Sequence, residues 1–86
     1  MIGKFATSKA GHDKAQVYVI IAMEDDFVYL CDGRLKPLGK PKKKRKKHIQ
    51  IVNTTVEQDL YNRILNKETV RDEEIKYAIR KYIEAR

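Results

Sequence analysis

The sequence predicts a mainly β domain with helical content: four or five short strands bent into a small antiparallel barrel, followed by two C-terminal helices. Three observations predict it. Residues 5–53 consist of short runs rich in β-branched and aromatic side chains, separated by turn residues. Residues 54–86 contain neither Gly nor Pro and place apolar residues at helical spacing. With 86 residues in all, the chain can bury one modest core, so strands and helices are expected to share it.

Taken in order, residues 4–7 form a short first strand leading into the polar loop Ser8-Lys9-Ala10-Gly11-His12-Asp13-Lys14. Gly11 can supply a positive φ there, and Ser8 and Asp13 can bind local backbone groups. Residues 16–23 are almost continuously apolar, which predicts a central strand covered on both faces. Glu24-Asp25-Asp26 makes a charged turn, and residues 27–31 (Phe-Val-Tyr-Leu-Cys) return as its hairpin partner. Asp32-Gly33 is the signal for a two-residue reversal, so residues 34–38 are expected as a third antiparallel strand, with Pro37 confining it to an edge or an end. Residues 49–52 alternate like a strand with one solvated face.

Two helices follow. Thr55 with Gln58 fits a capping box, after which Val56, Leu60, Tyr61, Ile64 and Leu65 make one apolar face and Asn66 a stop. Thr69 with Asp72 is a weaker start of the same kind. Ile75, Ala78, Ile79, Tyr82 and Ile83 then recur at i, i+3, i+4, i+7 and i+8. Both stripes are read as core. The expected organisation is a barrel over residues 1–53, including a basic loop at 39–48, and a two-helix extension over 54–86 packed on it.

Charge is the most uneven property of the chain. Lys40, Lys42, Lys43, Lys44, Arg45, Lys46 and Lys47 contribute seven positive charges, and without them the 19 basic residues fall to 12, matching the 12 acidic ones. The whole formal charge of +7 therefore resides in one segment, which must face solvent or an anion. A comb of cations suits a phosphate backbone, and His48 either joins it or begins the next strand. The same run also reads as a nuclear-import address, but its place between strands weighs against that. Membrane attachment is disfavoured because the run has no apolar anchors.

Other chemistry finds little footing. Ser8, His12 and Asp13 are the residue types of a hydrolytic triad, but adjacent His and Asp side chains rarely align as base and orienter. Cys31, His12 and His48 lack a metal-binding spacing, and residues 24–26 lack the length and glycine of a calcium loop. Cys31 is the only cysteine, so no internal disulfide can form and it reads as a small buried apolar residue. No apolar segment approaches the roughly 20 residues needed to span a bilayer, and the start lacks a signal-like stretch. The expectation is a cytoplasmic, non-enzymatic protein without cofactor, metal or small-molecule substrate.

The residues Ser8-Lys9-Ala10-Gly11-His12-Asp13-Lys14, the apolar strand after them, Cys31-Asp32-Gly33-Arg34-Leu35, Pro41-Lys42-Lys43-Lys44 and Lys47-His48 together resemble the small bacterial KOW-domain RNA-binding proteins. Those are similar in turn to a KOW-containing ribosomal protein family of the archaeal and eukaryotic large subunit. The resemblance covers residues 5–52. It implies an SH3-like barrel that binds RNA, ribosomal RNA or a ribosome above all, without catalysis. One position departs from the pattern: Ala15 stands where family members carry a glycine after Asp-Lys. A positive φ there would cost Ala about 1 kcal/mol.

Joined to the charge argument, the resemblance gives a candidate RNA-binding set. The basic run Lys40, Lys42, Lys43, Lys44, Arg45, Lys46, Lys47 and His48 would supply affinity. Lys9, Gly11, His12 and Lys14 of the first loop, with Arg34, would set position on the RNA. Two other classes compete: an SH3-like protein-interaction module and a DNA-binding protein with a basic loop.

Overall fold

The computed structural model describes residues 1–9 and 16–86. Its elements are β1 (Lys4–Ser8), β2 (Val17–Glu24), β3 (Phe27–Cys31), β4 (Lys42–Arg45), a 3-10 turn (Lys46–His48), β5 (Ile49–Thr55), α1 (Gln58–Leu65) and α2 (Asp72–Ala85). The strands make one antiparallel sheet in the order β4-β3-β2-β1-β5. β4 and β5 are its two edges and do not pair, so the sheet is not the closed barrel expected.

The sheet nevertheless bends sharply. β1 pairs with Val17 to Val19 at the start of β2, whereas β3 pairs with the stretch from Val19 to Glu24, and the register shifts between Ile20 and Ala22. β2 thus serves two half-sheets with a corner between them. Only residues 46–48 separate β4 from β5, four Cα steps that reach at most about 14 Å. The edges of a flat five-stranded sheet would lie roughly 19 Å apart, so the sheet has to curl. One contact records the approach: Lys44 Nζ of β4 donates to Ser8 Oγ of β1 (2.8 Å). The bonds from Lys9 N to the His48 carbonyl (3.0 Å) and from Lys46 N to the Asp26 carbonyl (2.8 Å) instead extend the β1–β5 and β3–β4 pairings towards the 3-10 turn.

Both faces of β2 are covered over residues 17–20, as its apolar run predicts, whereas Met23 and Glu24 at its far end are exposed. Val17 and Val19 join Phe5, Cys31, Val56, Leu60, Ile64 and Ile75 in a core between sheet and helices. Tyr18 and Ile20 join Ala6, Val28, Leu30 and Ile49 on the opposite, concave side. The helices therefore complete the core of the sheet. The Phe5 and Tyr82 rings stack with centroids 4.6 Å apart and planes 17° from parallel. The two apolar stripes are narrower than expected, because Leu65 and Ile83 remain exposed.

The segment after β3 corrects the sequence reading. Residues 34–38 form no strand, and Asp32-Gly33 is not a two-residue reversal. Asp32 Oδ1 accepts from Arg34 N (2.8 Å) and Lys36 N (2.9 Å), while the Lys36 carbonyl accepts from Asp32 N and Gly33 N. The aspartate side chain thus closes a compact loop instead of a hairpin. Gly33 has φ +76°, and a Cβ there would collide with the Asp72 carbonyl oxygen. Leu38 N donates to Asp72 Oδ1 (2.7 Å), fastening the same loop to the start of α2. The tight hairpin lies one turn earlier, at Asp25-Asp26, where Asp25 adopts φ +53°.

The basic run is likewise not a loop. Lys42–Arg45 pairs with β3 as an edge strand, and Lys46–His48 forms the 3-10 turn. An edge strand hydrogen-bonds along one side only, and lysines there hinder pairing with another chain. Their stems also gain apolar cover, since Lys43 and Arg45 lie over aromatic rings of β3.

Helix starts differ by a few residues from those expected. Thr55 ends β5, and α1 is capped by Glu57, whose Oε1 accepts from Leu60 N (3.0 Å). The cap of α2 is Arg71, and Glu74 Oε2 accepts from Arg71 N (3.0 Å). Arg63 binds the two helices together. It grips the Glu74 carboxylate with both Nη1 (3.0 Å) and Nη2, meets Asp59 through Nε (3.1 Å), and donates to the Thr69 carbonyl (3.2 Å). The Arg63 hydrogen bonds, with that from Arg71 N, lower the Glu74 pKa to about 2. Among the described residues no helix is long and apolar enough to cross a membrane.

Candidate nucleic-acid interface

Pairing of β4 with β3 decides where each cation points. The register places Lys42 opposite Leu30, Lys43 opposite Tyr29, Lys44 opposite Val28 and Arg45 opposite Phe27. Side chains alternate along a strand, so the run divides between two faces. Lys42 and Lys44 lie half-buried on the side of Val28 and Leu30, where Lys44 reaches Ser8 Oγ. Lys43 and Arg45 are exposed on the other side, above Phe27 and Tyr29.

That outer face is a distinct chemical surface. Lys43 Nζ lies 4.4 Å from the Phe27 ring centre and 6.0 Å from that of Tyr29, and the Arg45 guanidinium lies 4.9 Å from Phe27. These are cation–π distances, worth about 0.5–1 kcal/mol each at exposed sites. Glu24, opposite Phe27 in the sheet, accepts from the Tyr29 hydroxyl (3.2 Å) and pairs with Lys43 (3.7 Å). The aromatic pair was not singled out from the sequence as part of a site. The signal was available: Phe27 and Tyr29 are two apart in a strand and must share a face, opposite Val28 and Leu30.

The flanks extend the positive surface. Lys40 is exposed before β4, Lys46 is half-buried in the 3-10 turn, and Lys47 and His48 are exposed beyond it. The backbone bond from Lys9 to His48 sets Lys9, also exposed, beside the end of the run. Gly11, His12 and Lys14, with Asp13 and Ala15, lie outside the described residues. Arg34 is placed elsewhere: exposed on the Asp32 loop, it borders a groove shared with Lys76 and Arg80 of α2. The structure therefore brings Lys9 to the basic segment and groups Arg34 with helical cations.

The other candidate chemistries gain no geometry. Ser8 is buried with its hydroxyl engaged by Lys44. Cys31 is fully buried, and burial, with smaller contributions from Asp72 and Asp32, outweighs a backbone hydrogen bond at Gly33 to push its thiol up to about 11. No group of three or more potential metal ligands occurs among the described residues.

Neither the protein-family models nor the curated proteins contain a match to this chain.

Proposed function

We propose that the protein is a non-enzymatic RNA-binding protein of the SH3-like KOW type, acting on ribosomal RNA or at the ribosome in the cytoplasm. One observation carries the reading: exposed Lys40, Lys43, Arg45, Lys47 and His48 are held on and around a hydrogen-bonded edge strand, with Lys9 alongside. A floppy tail would have to lose its backbone freedom on binding RNA, whereas β4 is ordered beforehand. The curled five-stranded sheet, with its edges linked through three residues, supports the SH3-like assignment. The ribosomal partner rests on the family resemblance alone.

The mechanism is phosphate neutralisation by the exposed cations, with position set by the neighbouring loops. Neutralising about five phosphates of a single strand gives a slope of log K against log salt near −3.5. Titration of fluorescently labelled RNA from 50 to 300 mM salt measures it; absence of binding at low salt rejects the reading. A protein-interaction module is the competing class. Its supporting feature is a groove of about 620 Å³ between β5 and α2, floored by Phe5, Leu60, Ala78 and Tyr82. Partner binding there would be insensitive to salt and to loss of Lys43 and Arg45.

A further inference from the structure

Phosphate attraction explains the cations of β4 but not what lies beneath them. Phe27 and Tyr29 belong to neither of the two core clusters, although each is aromatic and sits mid-sheet. Their face continues onto β2 with Ala22 opposite Tyr29, whose small side chain leaves the ring open on that flank, and with Glu24 opposite Phe27. The result is an aromatic floor overlaid by two cations from β4, with a carboxylate on its β2 flank.

We infer that this floor is a stacking site for an unpaired nucleobase, so that the protein engages single-stranded segments of its RNA; the inference rests on the RNA-binding reading above. Every base offers a π-face, and a base inserted between the rings and the long stems of Lys43 and Arg45 replaces cation–π contacts with stacking on both sides. The neighbouring cations Lys40, Lys46 and Lys47 then follow the backbone on either side. Glu24 determines which part of the nucleotide enters. Its carboxylate repels phosphate and can accept only hydrogen bonds, which suits the amino or ring N–H edge of a base. A base-paired strand keeps its bases stacked internally and has none to offer this floor.

The test compares a 12-nucleotide single-stranded RNA with an abasic strand of the same length, which carries the same phosphates without bases. The base-bearing strand is expected to bind about tenfold or more tightly at equal salt, as loss of one stacked base predicts. In the double variant Phe27→Leu/Tyr29→Leu, which keeps the floor apolar, that ratio should collapse towards one while the salt slope is unchanged. Equal binding of the two strands to the native protein overturns the stacking site and leaves phosphate recognition standing. A full tenfold preference retained by a folded double variant overturns it as well. Failure of both strands to bind rejects the RNA reading itself, and the stacking site with it. Should the variant not fold, the comparison on the native protein decides alone.

Discussion

Lys44 and Ser8 are 36 positions apart in sequence, yet Lys44 Nζ donates to Ser8 Oγ across 2.8 Å. This contact joins the edge strand β4 to the end of β1, across the curl of the sheet. It also removes one of the seven cations from the outer surface. Replacing Ser8 with Ala should therefore destabilise the fold by about 1–2 kcal/mol, because a half-buried ammonium loses a hydrogen-bond acceptor. Urea denaturation measures the change, and RNA affinity should move little.

The alternation along β4 separates the cations by role. Gln at Lys43 and Arg45 together should flatten the salt slope by about 1.4, from two phosphate contacts at 0.7 each. Gln at Lys42 and Lys44 should instead lower stability, with a smaller effect on the slope. Equal slopes in the two double variants would show that the strand does not sort its charges.

Gly33 is fixed twice, by its φ of +76° and by the Asp72 backbone against it. An Ala there has to adopt the left-handed region, at about 1 kcal/mol, and also move α2 away. Gly33→Ala is expected to cost roughly 2–4 kcal/mol in total. Gly39, with nothing within 4 Å of an added Cβ and no positive φ, should accept Ala at no comparable loss. Thermal melts of the two variants side by side provide the check.

Acid should loosen the helical pair first. The Glu74 carboxyl, ordinarily near 4.5, is lowered to about 2 by Arg63 and Arg71 in the folded protein. Between those values the unfolded chain binds the proton and the folded one does not, so this contribution is present above pH 4.5 and is lost as pH falls towards 2. Both side chains remain about a quarter exposed, which limits the contribution to about 1 kcal/mol. Glu74→Gln should lower stability at pH 7 and flatten its decline over that acid range.

Much of the architecture was legible because it depends on local pattern. β2 follows from a continuous apolar run, the hairpin turn at Asp25-Asp26 from a charged break between two such runs, and the Ile75–Ala78–Ile79–Tyr82 stripe from the helical period of 3.6. Cap positions slipped because Thr55 suits a cap chemically but was taken up by pairing with Lys4 in β5, leaving Glu57 to bind Leu60 N. The candidate site was legible in charge and not in shape. Nothing local in a run of lysines predicts a strand, since what stabilises β4 is the backbone edge of β3 and the rings of Phe27 and Tyr29.

The sequence by itself determined that all the net charge falls within residues 40–47, that two helices follow a small antiparallel sheet, and that one central strand is covered on both sides. Only the tertiary structure decided that those cations form a strand rather than a loop. It also decided that Lys43 and Arg45 face solvent over aromatic rings while Lys42 and Lys44 turn inward, and that Lys9 joins them while Arg34 does not. The reason is physical. Composition and periodicity depend on neighbours along the chain, but the direction of a lysine in an edge strand is fixed by the register of the strand beside it.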